Sequence, residues 1–133
     1  MKCKMQNAKC KVMKQNPIEA KSFNFAVRIV RLYRHLTGNK QEYILSKQLL
    51  RSGTSIGANV SEAERGQSRA DFIAKMSIAL KEANETDYWL RLLHASELLS
   101  EVEFESMKKD LSELIAMLTA ICKSAKCKVQ NAK

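Results

Sequence analysis

Basic side chains of the 133-residue chain recur at spacings that put them on helix faces, where they suit the binding of phosphate groups. Two predicted helices carry them, and a single patch forms if the two basic faces adjoin. A charged helix face is commonly just solvated, and this alternative stays open. The candidate phosphate contacts are Arg28, Arg31 and Arg34 on the first helix, with Lys47 and Arg51 on the second.

Other residue patterns argue against catalysis and against a bound cofactor. His35 and His94 lie on different predicted helices without a carboxylate or cysteine at ligand spacing. The cysteine pairs Cys3/Cys10 and Cys122/Cys127 lack the two-residue spacing of zinc knuckles. No phosphate-binding glycine loop, nucleophile elbow or HExxH motif occurs. We therefore expect a non-enzymatic protein with reduced thiols and with no cofactor, metal or small-molecule substrate.

The net charge of +9 resides in the two ends of the chain. Residues 1–16 carry five lysines and residues 123–133 carry four, with no acid in either segment, whereas residues 17–122 are neutral. Basic arms of this kind can bind RNA or DNA in a salt-dependent, sequence-independent way, or they can simply keep the protein soluble. The ends also share a near-repeat, CKMQNAK at residues 3–9 and CKVQNAK at residues 127–133, for which we find no function.

The elements that position these residues are helices, because one proline and four glycines leave room for few connections. We predict an all-α, antiparallel up-down-up-down four-helix bundle over residues 17–122, between flexible tails at 1–16 and 123–133. The helices are expected at 17–37, ended by a left-handed Gly38, then from Lys40 to about Gly66, from Ser68 to Leu99, and from Ser100 to 122. No segment suits a membrane span or a secretory signal, so a cytoplasmic protein is expected.

Small residues and aromatic residues mark the predicted packing surfaces. Gly53 and Gly57 weaken the second helix locally, but the apolar period continues through them, and small residues let another helix approach closely. Tyr88 and Trp89 point about 100° apart on the third helix. One of the two should fill space beside the second helix while the other meets a partner chain, or both are partly in the core.

Charge also differs between the two halves of the predicted bundle. Residues 17–67 carry an excess of four bases, and residues 68–122 an excess of four acids. The basic half of one protomer could meet the acidic half of the next in a head-to-tail assembly. Alternatively, the two halves face each other within one bundle.

The segments FAVRIVRLYRHL and LSKQLLRSGTSIGANVSEAERGQSRADFIAKMSIALKEANETDYWLRLL resemble the bacterial four helix bundle proteins, also called 23S rRNA intervening sequence proteins. The resemblance covers about residues 20–122 and leaves out both ends. It implies an up-down bundle, with related proteins forming five-membered rings. A similar ring-forming protein serves diversity-generating retroelements, where it binds nucleic acid and reverse transcriptase.

The family motif transfers to Asn59, Glu62, Gly66 and Glu85 as a helix-packing and turn signature without a catalytic role. One departure is that the retroelement relatives have a positive bundle, whereas this bundle is neutral. Two hypotheses follow: a homo-oligomer, pentameric by resemblance, that associates with RNA or DNA, and an interaction scaffold that binds no nucleic acid. Candidate packing or interface residues are Gly53, Gly57, Asn59, Glu62, Glu85, Tyr88 and Trp89.

Overall fold

The computed structural model describes residues 16–132, with side chains for residues 16–128. Four helices make up this part of the chain: α1 (Pro17–Gly38), α2 (Leu45–Glu64), α3 (Arg69–Ala95) and α4 (Glu101–Ala132). The predicted all-α four-helix bundle is confirmed. The predicted N-terminal tail, apart from Asn16, and the first copy of the near-repeat lie outside the described residues.

Each helix packs on its neighbours in an antiparallel direction. Along α1 and α2, Gly53 approaches Ile29 while Gly57 approaches Ser22, so residue numbers rise in one helix as they fall in the other. Ion pairs show the same order between α1 and α4, where Lys21 meets Glu113 and His35 meets Glu103. The core between the four helices contains fully buried side chains from every helix, among them Phe25, Ile29, Leu49, Ile56, Met76, Leu90, Leu111 and Leu118.

Three helix starts follow the predicted capping chemistry. The Asn16 side chain accepts a hydrogen bond from the Ile18 N–H, and Pro17 takes the first helical position. Ser68 likewise accepts from the Asp71 N–H at the start of α3. At α4 the capping box is complete, because Ser100 Oγ accepts from the Glu103 N–H (3.1 Å) while Glu103 accepts from the Ser100 N–H (2.8 Å).

The connection between α1 and α2 corrects two predictions. Gly38 belongs to α1 and is not left-handed; the positive φ of 56° falls at Gln41 instead. The second helix begins at Leu45 rather than near Lys40, because the Glu42 carboxylate accepts from the N–H groups of residues 44, 45 and 46. This carboxylate holds the first turn of α2 in place of a short capping side chain.

The ends of the last two helices also differ from the prediction. The third helix stops at Ala95 instead of Leu99, since Glu97 takes a positive φ of 64° and turns the chain. Leu99 stays buried from within the turn. The fourth helix continues ten residues past the predicted boundary at 122, so residues 123–132 are helical rather than a flexible tail. Ala125 is buried in this extension, one turn after the buried Cys122, so the extension has an apolar contact with the bundle that its many lysines do not indicate.

Candidate nucleic-acid interface

Two of the predicted phosphate contacts are paired with carboxylates, and Arg28 is the first of them. Its guanidinium pairs with Asp110 on α4 and donates to Ser106 Oγ at 2.6 Å. The side chains of Arg28 and Asp110 are each about a third exposed (34% and 37%). Arg28 therefore connects α1 to α4 within the bundle, where its charge is already neutralised.

Arg51 is engaged in the same way on the far side of the molecule. It pairs with Glu82 (3.2 Å) and with Glu85, both on α3. Glu85 also accepts the indole N–H of Trp89 at 3.0 Å. The Trp89 hydrogen bond and the Arg51 guanidinium lower the pKa of Glu85, and the Glu85 and Glu82 carboxylates raise the pKa of Arg51. These interactions favour the charged forms of Glu85 and Arg51, and the Arg51 charge is paired within the network.

The predicted single patch is consequently wrong. Arg28 lies at the groove between α1 and α4, whereas Arg51 lies at the groove between α2 and α3, on opposite sides of the bundle. The other three predicted contacts, Arg31, Arg34 and Lys47, are exposed.

The predicted glycines bring α1 and α2 close together. A Cβ added to Gly53 would lie 2.7 Å from Ile29 Cγ1, and one added to Gly57 would lie 3.2 Å from the carbonyl oxygen of Ser22. Neither distance leaves room for an unshifted side chain. The expectation of close helix approach at these two residues is confirmed, and the tight contact explains why α2 tolerates glycine in its interior.

The remaining predicted packing residues act within the protomer. Asn59 donates to the Ser55 carbonyl oxygen at 2.8 Å, and Glu62 pairs with Lys75 on α3 at 3.1 Å. Trp89 packs partly buried against the core, while Tyr88 is 49% exposed with its ring edge-on to that of Trp89. Trp89 is thus the more buried of the two aromatics, and contact of the exposed Tyr88 with a partner chain stays a prediction.

Ion pairs between the sequence halves account for their opposite charges. Arg28 and Lys21 of the first half meet Asp110 and Glu113 of the second, and Arg51 meets Glu82. The two halves therefore face each other within one bundle, and the head-to-tail assembly of protomers stays a prediction.

A cluster of cations at one end of the bundle was missed by sequence reasoning. We call this the basic end: the end at which α1 begins, α2 turns into α3, and α4 terminates. Asn16 donates to Glu64 here, which joins the first residue before α1 to the last residue of α2. The exposed cations of the basic end are Arg65, Arg69, Lys123, Lys126 and Lys128.

Both lysine-rich segments join the bundle at the basic end. Residues 1–15, with five lysines, connect to it through Asn16, and the extension of α4 carries three more at residues 123–128. Because α1 and α4 are antiparallel, both segments are attached at this same end of the bundle. The sequence shows that both ends of the chain are rich in lysine. That both are attached at one end of the bundle follows only from the order of the helices.

The opposite end of the bundle is acidic. Glu97, Glu101 and Glu105 are exposed around the turn between α3 and α4. Glu103 beside them caps α4 and lies 3.5 Å from the His35 imidazole. Exposed carboxylates thus cluster at this turn, with the exposed Lys40 near them, while ion pairs such as Arg28–Asp110 neutralise charges along the side of the bundle.

Comparison with known proteins gives the family. The sequence model of the 23S rRNA-intervening sequence proteins matches residues 14–120, which is most of the chain. The chain belongs to this family. A similar solved structure is that of a protein of unknown function from the S23 ribosomal protein family of Bacteroides thetaiotaomicron. It is 55% identical, with a TM-score of 0.79 over 80% of this chain and 98% of that one.

The family match stops at residue 120, so the lysines of the α4 extension lie beyond it. No curated protein matches the chain, and neither description above names a catalytic activity. Within residues 16–128, no group of three His, Cys, Asp or Glu side chains could hold a metal ion. Likewise, none of the four helices has the length and apolar character needed to cross a membrane.

Proposed function

We propose that this member of the 23S rRNA-intervening sequence family is a non-enzymatic, self-assembling cytoplasmic protein that binds RNA or DNA phosphates through its basic end. The observation that carries the proposal is the position of the exposed Lys123, Lys126 and Lys128 at the end of the bundle where α1 begins. The five-lysine segment 1–15 is attached to this same end, and residues 17–122 have no net charge. Concentrated positive charge releases counterions from a nucleic acid and needs no base contacts. The expected binding is independent of sequence and strongly dependent on salt.

Charge pairing supports the basic end over the face first predicted from the sequence. Using Arg28 or Arg51 for phosphate would require breaking ion pairs with Asp110 or with Glu82 and Glu85. The cations of the basic end are exposed. Among the acids at this end, Glu62 pairs with Lys75 and Glu64 accepts from Asn16, while Glu19 and Asp71 are half-buried. Arg31, Arg34 and Lys47 remain as secondary contacts on the sides of the bundle.

The test compares two triple variants of the full chain that remove the same charge. Lys123→Gln/Lys126→Gln/Lys128→Gln alters the basic end, and Lys40→Gln/Lys81→Gln/Lys109→Gln removes three exposed lysines that are not among the proposed contacts. Fluorescence anisotropy with a structured RNA, between about 50 and about 200 mM salt, gives the slope of log K against log salt. The basic-end variant should lower the magnitude of that slope by about 2 to 3, and the control by much less.

Two outcomes would overturn this part of the proposal. One is the absence of RNA or DNA binding by the unaltered protein at about 50 mM salt. The other is an equal decrease of the salt slope in the two triple variants, since binding would then depend on the net charge of the protein and not on where the charge lies.

Exposed apolar side chains on α1 support the self-assembly part. Phe23 (66% exposed) and Val30 (40%) lie seven residues apart, on one stripe of the helix. A stripe of this kind suits contact with another protomer, and the family resemblance suggests five of them. The alternative function is an interaction scaffold without nucleic acid, in which α2 and α3 also present surfaces to other protomers through exposed side chains such as Ile78 and Tyr88.

Light scattering at several protein concentrations tests assembly. We expect a particle about five times the 15.1 kDa mass of the chain, and its dissociation by Phe23→Glu. Val102→Glu is the control, because Val102 is also exposed but lies at the acidic end. A monomer at every concentration would remove both the ring and the scaffold, while an intact particle that binds no RNA or DNA would favour the scaffold.

A further inference from the structure

A groove lies at the basic end between the first turns of α3 and the last turns of α4. It encloses about 330 Å³, which falls in the size range of small-ligand sites. Apolar groups dominate its surface, and its two charged side chains are both cations. The groove is lined principally by Arg69 and Phe72 of α3 and by Ala120, Ile121, Ser124 and Lys128 of α4.

Phe72 is the aromatic part of this surface. Together with Arg69 it also lines the adjoining cavity at the turn between α2 and α3, so the two cavities meet at these side chains. The adjoining cavity contains Glu64, whose pKa is raised by burial and by the nearby Glu19 carboxylate. An anion is therefore favoured on the α4 side, between Arg69 and Lys128, and disfavoured on the side of Glu64.

We propose that this groove holds one unpaired nucleotide of a single-stranded RNA or DNA. The base lies against Phe72 and the aliphatic floor, and its phosphate lies between Arg69 and Lys128. The proposal rests on the proposed function and narrows it, since it names the form of nucleic acid that binds. Charge complementarity favours this ligand. The apolar floor suits the flat face of a base, and the two cations suit the negative charge of its phosphate.

An unpaired nucleotide is required because a paired base is stacked inside its duplex. A flat face becomes available to a protein aromatic only when the base is single-stranded, bulged or splayed out. Every base has such a face, so the groove gives a preference for single strands without a preference for sequence.

The other groove with several cations does not suit this ligand. It lies between α1 and α4 and contains Arg28, Arg31 and His35, but it also contains the Glu103 carboxylate. Arg28 there is paired with Asp110. The groove at the basic end combines an aromatic ring with cations and has no carboxylate in its lining.

The experiment fills the groove without changing charge. Ala120→Leu and Ser124→Leu place a larger side chain at two exposed lining positions, and Ala116→Leu is the matched control one turn earlier on α4, outside the groove. Each variant of the full chain is titrated with a fluorescent unstructured oligonucleotide and with a hairpin of equal length. The hairpin's two strands are joined by a polyethylene glycol linker, so that it contains no unpaired base. Circular dichroism checks that helix content is kept.

The unaltered protein and Ala116→Leu should bind the unstructured oligonucleotide about tenfold more tightly than the hairpin stem, which corresponds to stacking of one base. Ala120→Leu and Ser124→Leu should lose that preference while keeping the affinity for the hairpin. Arg69→Gln should weaken binding to both nucleic acids, because it removes a phosphate contact.

Equal affinity of the unaltered protein for the two nucleic acids would overturn the inference, and so would a preference that survives both filling variants. Either result leaves the proposed function standing, provided that the hairpin binds in a salt-dependent way. Failure to bind any nucleic acid would remove the proposed function itself. The two failures are therefore distinguishable in one set of titrations.

Discussion

The two sides of α1 are held to the bundle by different means. Toward α2 the backbones come close, since Gly53 and Gly57 leave no space for a side chain against Ile29 and Ser22. Toward α4 long polar side chains bridge the gap, in the ion pairs Lys21–Glu113 and Arg28–Asp110. The α1–α2 contact is thus set by shape and the α1–α4 contact by charge, and the two should respond differently to substitution, salt and pH.

The largest effect is expected at the α1–α2 contact. Gly53→Leu should destabilise the protein by about 3 kcal/mol, because the new side chain overlaps Ile29 and forces the helices apart. Urea unfolding followed by circular dichroism measures this loss. Gly38→Ala is the control, since nothing lies within 4 Å of its added Cβ, and it should gain about 0.5 kcal/mol. A Gly53→Leu loss of less than about 1 kcal/mol would mean that the bundle does not depend on this close approach.

A smaller effect is expected at the α1–α4 contact. Arg28→Met should cost about 1 kcal/mol, and its double-mutant cycle with Asp110→Asn should give a coupling of about 0.5 to 1 kcal/mol. High salt should reduce the coupling, whereas the Gly53→Leu penalty should not change with salt. Arg34→Met, at an exposed position of the same helix, should change stability by less than about 0.5 kcal/mol. A coupling near zero at low salt would show that shape also governs this side.

Glu103 adds a pH dependence to the α1–α4 side. Hydrogen bonds from the Ser100 N–H first, then from its hydroxyl, with the positive charges of His35 and Lys40, lower the pKa of Glu103. A lowered folded-state pKa stabilises the protein above the ordinary carboxyl pKa, and this contribution is lost as the pH falls through the folded-state value. Glu103→Gln should therefore cost a few tenths of a kcal/mol at about pH 7 and less at about pH 3.

Urea unfolding at the two pH values checks this difference. Glu105→Gln, an exposed carboxylate in the same turn region, should cost less than Glu103→Gln at about pH 7. A Glu103→Gln penalty that is undiminished at about pH 3 would assign the effect to packing of the side chain instead of its charge.

The same contrast explains which features the sequence predicted. Local signals were sufficient for the starts of α1, α3 and α4, because Asn16, Ser68 and the Ser100–Glu103 pair act within three residues of themselves. Small residues in a continuing apolar period likewise indicated the close approach at Gly53. These predictions needed only neighbours along the chain.

Features that depend on distant partners were not predictable in this way. Arg28 was interpreted as a phosphate contact because its partner Asp110 lies 82 residues away. The α4 extension was interpreted as a tail because of its many lysines. The apolar side chains that attach this part of α4 to the bundle, Cys122 and Ala125, are few and are separated by polar residues. The basic end required both the helix order and the true end of α4, and neither follows from charge spacing.

Because α1 begins and α4 ends at the same end of the bundle, the chain is suited to circular permutation. Joining the old termini by a flexible linker and opening the chain between Lys40 and Gln41 would leave all four helices intact. The new cut lies in an exposed connection, and Glu42 would still hold the first turn of α2. Such a permutant would move the free ends to the acidic end while the lysines of the α4 extension stayed in place. Binding of nucleic acid by the permutant would then show whether the lysines of the α4 extension are sufficient, whatever the order in which the helices are connected.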